Sequence, residues 1–253
     1  MVLPVHDDNP TRRTPWVTYL LIAVNVVAFV LSPLATHLVG RGTVQQVCHQ
    51  QAFLAHYAAV PDELLRNRPE PVVVTGELGH GCRSGPPSYR KQPFVSVLTA
   101  MFLHGGWLHL LGNMLFLFVF GNNVEDRMGR LWFLGFYLLC GYAATYGFAL
   151  FAHGSTAPLV GASGAIAGVL GAYIVLYPRV QVLSLLTFFF FLPIRLPAWL
   201  VLGSWFVLQY VSLRANAAGS GSGVAYVAHV VGFLIGAAIA WQLRPLRRRL
   251  RPA

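Results

Sequence analysis

Residues 161–177 read GASGAIAGVLGAYIVLY, an uncharged run with a serine at its third position. A second uncharged run, residues 224–243, reads VAYVAHVVGFLIGAAIAWQL and carries a histidine near its start. Both runs are close to the ~20 residues that an α-helix needs to cross the hydrocarbon core of a bilayer. Because polar and ionisable side chains are costly in lipid, Ser163 and His229 are candidate functional residues.

The composition places the rest of the chain in the same class. Of 253 residues, 56% are hydrophobic and 10% are charged, and the mean hydropathy is +0.59. Backbone polar groups in lipid must be satisfied within helices, so we predict an all-α polytopic membrane helix bundle. Six transmembrane helices are expected at residues 16–34, 107–124, 130–152, 161–177, 196–213 and 224–243. The apolar run 180–192 is too short to span and is expected at the interface.

The basic residues predict the orientation. Basic residues precede the first span and occur in the second and fourth connections and in the tail. With six spans, all of these segments lie on one side of the membrane, which the positive-inside rule makes cytoplasmic. Residues 1–15 and the basic tail 244–253 are then cytoplasmic segments, and residues 16–243 form the membrane domain. No cleavable signal peptide is evident. The expected location is a bacterial plasma membrane, and the net charge of +10 reflects topology and lipid contact rather than nucleic-acid binding.

Residues 35–93 form a long outer loop, in which short helices are plausible around 44–56 or 61–66. Cys48 and Cys82 both lie in this loop, where an oxidising environment permits a disulfide without requiring one. Cys140 lies inside the third span and is expected to be a buried apolar thiol.

The topology places four polar side chains at one depth. Spans two, four and six run from outside to inside, so their first turns lie in the outer part of the bilayer. At 1.5 Å per residue, His109, Asn113, Ser163 and His229 all fall in the outer third. Such agreement in three spans that are otherwise poor in polar groups predicts one shared site.

These residue types suit acyl transfer. A serine hydroxyl is a weak nucleophile that needs a base within hydrogen-bond reach, and neutral imidazole serves this purpose. Attack on a carbonyl builds an oxyanion, which needs aimed donors. His109 and Asn113 stand at i and i+4 on one helix face, and the Ser163 backbone N–H lies at a helix N-terminus.

Glycines mark both helices that carry the pair. Gly161, Gly164, Gly168 and Gly171 form a stripe in the fourth span, and Gly232 and Gly236 form a GxxxG in the sixth. Small residues let membrane helices approach closely, as a hydrogen bond between Ser163 and His229 requires.

Four motifs in residues 94–241 resemble those of the rhomboid intramembrane serine proteases. The segment from His104 through His109 to Asn113 resembles the HxxxxHxxxN pattern, and Glu125 with Gly129 resembles ExxxG. Residues 161–164 match the GxSG box, and residues 228–236 match AHxxGxxxG. One departure is Ala167, where some members carry a tyrosine that stacks on the base.

The resemblance implies a six-helix fold and a Ser-His dyad, with Ser163 as nucleophile and His229 as general base. His109, Asn113 and the Ser163 amide would form the oxyanion hole, while Glu125 and Arg127 would brace the inner end of the bundle. The implied reaction is cleavage of transmembrane segments in single-span membrane proteins, within the lipid bilayer and with no cofactor or metal. The fifth span, with Trp199 and Trp205, would be the lateral gate.

Two other classes stay open. One is a non-catalytic rhomboid-like protein that binds membrane clients, which loss of the serine or histidine would have signalled. The other is a transporter or metal-binding protein that uses His104, His109 and His229, although the inner halves of the spans carry few polar groups that could line a path.

Overall fold

The computed structural model describes residues 2–36, 44–69, 91–186, 192–217 and 226–243. The described elements, in chain order, are β1 (Val2–Asp7), α1 (Trp16–Leu31), α2 (Val44–Tyr57), α3 (Pro61–Arg66), α4 (Pro93–Ala100), α5 (Trp107–Phe116), α6 (Asn122–Met128), α7 (Arg130–Phe151), α8 (Ser163–Leu176), β2 (Gln181–Leu186), β3 (Leu192–Pro197), α9 (Ala198–Ala217) and α10 (Tyr226–Leu243). A π-helical turn, Leu117–Gly121, joins α5 to α6.

Every apolar run that was predicted to span a membrane is helical. Three continuous helices in the described part of the chain are long and apolar enough to cross a bilayer: Trp107–Met128, Arg130–Phe151 and Tyr226–Leu243. Helices α1 and α8 are apolar but shorter. Residues 165–173 of α8 are all buried, so protein rather than lipid surrounds this short helix. The protein is therefore a mostly helical membrane protein, and the count of six spans stays a prediction.

The prediction of an all-α fold is wrong in one respect. β1, β2 and β3 form an antiparallel sheet in the order β1-β2-β3, with Val2 paired to Leu186 and Gln181 to Pro197. Val182 and Ser184 are both fully buried, which is the alternation expected of a strand with one covered face. Pairing satisfies the backbone of an apolar run that is too short to span. Residues 188–191, the phenylalanine run expected at the interface, lie outside the described residues.

The chain divides into two compact units. The first unit contains Met1–Ile22, Gly112–Ala144 and Ser163–Ala253, and the second contains Ala23–Leu111 and Thr145–Ala162.

In the first unit, α8 packs against α10 through interlocking glycines. A Cβ at Gly232 would collide with the carbonyl oxygen of Gly164, and one at Gly236 would collide with that of Gly168. A Cβ at Gly171 would likewise meet the carbonyl oxygen of Phe233. The two backbones thus touch directly, which only glycine permits.

Charged side chains of α6 cap two other helices of this unit. The Glu125 carboxylate accepts hydrogen bonds from the backbone N–H groups of Val17 at 3.0 Å and Thr18 at 2.7 Å, at the start of α1. Arg127 donates to the carbonyl oxygen of Leu243 at 3.1 Å, at the end of α10. Each charge has the sign that its helix end favours. Gly129, with φ +84°, turns the chain from α6 into α7.

The second unit contains the helices of the outer loop. The helices predicted around 44–56 and 61–66 are confirmed as α2 and α3, whereas α4 was not predicted. Lys91 forms a buried ion pair with Glu63 at 2.5 Å and donates to the Ala55 carbonyl at 2.9 Å. Cys48 is disulfide-bonded, but Cys82, the partner suggested by the sequence, lies outside the described residues. Cys140, in the first unit, is a buried free thiol, as predicted.

Candidate active site

Ser163 and His229 are hydrogen-bonded to each other in the first unit. Ser163 is the first residue of α8, and His229 lies in the first turn of α10. The Ser163 Oγ and His229 Nε2 atoms are 2.8 Å apart, and both side chains are partly buried. Two residues before the serine, Gly161 has φ +125°, a conformation that favours glycine, so this glycine turns the chain into α8.

The second ring nitrogen of His229 contacts a residue that the sequence did not suggest. His229 Nδ1 lies 2.8 Å from Oε1 of Gln209, which is on α9. Nothing in the sequence selects Gln209, because a single glutamine in an apolar helix matches no catalytic motif. Only the packing of α9 against α10 brings it to the histidine.

Two aromatic rings lie beside His229, although Ala167 stands where a stacking tyrosine would be. The Trp205 ring centroid is 6.0 Å from that of His229 at an interplanar angle of 36°. Tyr226 meets the same ring edge-on at 6.4 Å. Trp205, which was predicted as part of a gate, lies beside the histidine and 6.4 Å from the ring of Phe116, and its role in a gate stays a prediction. Trp199, the other gate candidate, is 54% exposed.

Asn113 belongs to the same unit and is 9% exposed. Among the described residues, no hydrogen-bond acceptor contacts its amide nitrogen Nδ2, which is buried. A buried N–H group that lacks an acceptor costs free energy, and such groups are rare unless they serve a ligand or a reacting atom. An unpaired, buried N–H group of this kind could donate a hydrogen bond to an oxyanion.

His109 belongs to the second unit and is described within it. The backbone N–H of Gly105 donates to His109 Nδ1 at 3.4 Å, so the proton of the neutral ring is on Nε2. Its ring lies 5.1 Å from that of His104, which is fully buried and packs edge-on against Phe29. Neither ring nitrogen of His104 has a hydrogen-bond partner among the described residues. The contacts thus place the ring N–H of His109 on Nε2 and give His104 a packing position.

A metal centre has no support in the described ranges. No group of three or more His, Cys, Asp or Glu side chains within them is arranged to hold a metal ion.

Comparison with protein families settles the relationship. The model of the Rhomboid domain matches residues 91–246, which include α4 to α10. The chain belongs to the rhomboid family. This rhomboid protein carries Ser163 and His229 in hydrogen-bonded contact inside the matched region.

Curated relatives agree with the assignment. The rhomboid chain is 29% identical over 172 residues to Rhomboid protein 1, mitochondrial, of Saccharomyces cerevisiae, covering 63% of this chain and 46% of the relative. It is 30% identical over 156 residues to Rhomboid-like protein 11, chloroplastic, of Arabidopsis thaliana, covering 58% and 51%. It is 35% identical over 107 residues to RHOMBOID-like protein 6, mitochondrial, of Arabidopsis thaliana, covering 40% and 34%.

The chain thus spans between a third and about half of the length of these relatives. Their names place them in mitochondria and chloroplasts, so the comparisons support a membrane protein but not the predicted bacterial plasma membrane.

Proposed function

We propose that this rhomboid protein is an intramembrane serine endopeptidase that cleaves transmembrane segments of single-span membrane proteins. The observation that carries the proposal is the 2.8 Å hydrogen bond between Ser163 Oγ and His229 Nε2. In this role His229 takes the hydroxyl proton as the oxygen attacks the peptide carbonyl, and then donates it to the leaving amine. In the second step His229 takes a proton from the water that attacks the acyl-enzyme and returns it to the Ser163 oxygen as the new carboxylic acid leaves.

The oxyanion that forms in each step requires donors. The buried, unpaired Nδ2 of Asn113 supports its assignment as one of them. His109 carries its ring proton on Nε2, which suits the same role, and the backbone N–H of Ser163 lies at the N-terminus of α8, where negative charge is favoured. We assign all three to the oxyanion hole.

The proposed topology has six spans with both termini cytoplasmic. Helices α5, α8 and α10 then run from the outer to the inner surface, so the first turns of α8 and α10 lie where water reaches them from outside. Glu125 and Arg127 cap helices at the opposite end and are assigned structural roles, as are Gly161, Gly164, Gly232 and Gly236.

Covalent labelling tests the proposal. A fluorophosphonate probe reacts with an activated serine, so we expect labelling of the native chain and none of the Ser163→Ala variant. His229→Ala should abolish both labelling and cleavage of a single-span reporter. Equal labelling of native and Ser163→Ala chains, or none of either, would overturn the proposal.

The second candidate is a non-catalytic protein that binds membrane clients. Its one support is family membership itself, because that relationship does not require activity. Under this function, Ser163→Ala would still capture an intact single-span client, and the native chain would never cut it. Cleavage that depends on Ser163 excludes this candidate.

A further inference from the structure

Gln209 lies in the second half of α9, and its side chain reaches the histidine of the candidate dyad. Its amide oxygen Oε1 is 2.8 Å from His229 Nδ1, the nitrogen on the side of the ring away from Ser163. An amide oxygen is only an acceptor, so Nδ1 must donate the hydrogen.

This contact fixes the tautomer of the ring. A neutral imidazole has one N–H, and with the proton on Nδ1 the lone pair is on Nε2. Nε2 is the atom that faces the Ser163 hydroxyl at 2.8 Å. In the other tautomer Nε2 would carry a hydrogen and could not accept the serine proton. The orientation of one glutamine therefore decides whether the ring is able to act as a base.

The same helix also positions the ring sterically. Trp205 stands four residues before Gln209, one helical turn away, and lies 6.0 Å from the His229 ring. Within the described ranges, Ser163 from α8, Gln209 and Trp205 from α9, and Tyr226 from α10 face the ring, and these four side chains are uncharged at neutral pH. Helix α9 thus provides both a packing surface and a hydrogen-bond acceptor for the base.

We propose that Gln209 is a positioning residue that holds His229 in the base-competent tautomer, as the third member of a Ser163–His229–Gln209 relay. This inference rests on the proposed function of the dyad. In the protonated intermediate, Nδ1–H still donates to the Gln209 oxygen, so the contact orients the ring throughout the cycle. A neutral amide stabilises the protonated ring less than a carboxylate does.

The test compares Gln209→Leu and Gln209→Glu with the native chain in detergent or vesicles. Gln242→Leu is the matched control, because Gln242 is exposed on α10 and is 13 residues from His229, about 20 Å along the helix. The readouts are the rate constant for fluorophosphonate labelling of Ser163 across pH, and kcat and KM for a single-span reporter.

We expect Gln209→Leu to lower the labelling rate and kcat by about 10-fold, which is the scale of one hydrogen bond, with KM unchanged. Gln209→Glu should keep the rate, because a carboxylate also accepts from Nδ1–H. It should move the acid limb of the pH–rate profile to higher pH, because a negative charge stabilises the protonated ring. Gln242→Leu should match the native chain.

The outcomes separate the two proposals. Failure of the native chain to label at Ser163 overturns the proposed function and, with it, the relay. Native labelling that is unaltered in Gln209→Leu, or a loss confined to KM, overturns the relay alone. If Gln209→Leu fails to fold, Gln209→Glu decides, and an unmoved acid limb in that variant overturns the relay.

Discussion

Ser163 and His229 both lie in the first turn of their helices, and this placement affects their reactivity. The N–H groups of a first turn have no acceptor within the helix, so they favour negative charge nearby. The serine side chain extends from this end of α8, 2.8 Å from the histidine ring of α10. The same residues at mid-helix would lie among backbone groups that are already paired.

Asn113 gives a prediction at the residue scale. Asn113→Ala removes a donor whose nitrogen has no hydrogen-bond acceptor in the described part of the protein. We expect kcat for a single-span reporter to fall by about 10²–10³-fold, as for loss of one oxyanion donor. The melting temperature should not fall, because no hydrogen bond to that nitrogen is lost. Unchanged turnover would remove Asn113 from the site.

His104 predicts a pH dependence of stability. Burial, with a smaller contribution from His109, lowers the pKa of His104 from its usual 6.5 to about 3. Between these values the unfolded chain binds a proton that the folded chain does not. The free energy of unfolding therefore falls as pH drops through this window. Above pH 6.5 His104 is neutral in both the folded and the unfolded chain, so this loss of stability is absent there.

Denaturation of purified protein at several pH values measures this effect. His104→Phe keeps a ring against Phe29 and removes the titration, so its stability should depend less steeply on pH between 6.5 and about 3. His153→Phe, at an exposed position, is the control and should keep the native slope. If stability depended equally on pH in the native, His104→Phe and His153→Phe proteins, His104 would not be the source of the pH dependence.

At the scale of elements, the packing of α8 against α10 holds the dyad together. Gly236→Ala places a methyl group on the Gly168 carbonyl, so the two helices must separate. Overpacking of this kind costs about 1–3 kcal/mol, and we expect a lower melting temperature and weaker fluorophosphonate labelling of Ser163. Gly135→Ala is the control, because nothing lies within 4 Å of a Cβ there. A Gly236→Ala chain as stable and reactive as the control would mean that the contact is dispensable.

The elements also show how far the sequence is informative. Apolar runs predicted every long helix, because length and hydrophobicity are local properties. The sheet was missed because β1 pairs with β2 across more than 170 residues and because β1 contains a proline and an aspartate, residue types that are depleted in strands. Ser163 and His229 stand in recognisable motifs. Gln209 does not, since its role depends on the rotation of α9, which no local pattern encodes.

At the scale of the whole molecule, the prediction concerns topology. With six spans and cytoplasmic termini, a cysteine at Thr14 should be shielded from a membrane-impermeant maleimide in intact cells, while one at Ala52 on α2 should react. Both should react after permeabilisation. Labelling of the Thr14→Cys chain in intact cells would require an even number of spans between Thr14 and the outer loop, or the opposite orientation of the whole chain.

The first strand connects the beginning of the chain to the helix of the nucleophile. Asp7, the last residue of β1, accepts hydrogen bonds from Asn123 at 2.9 Å and from the hydroxyl of Tyr173 on α8, and burial raises its pKa. Truncating or tagging the segment ahead of α1 therefore disturbs contacts that hold α8, the helix that carries Ser163. An affinity handle for purification is better attached elsewhere.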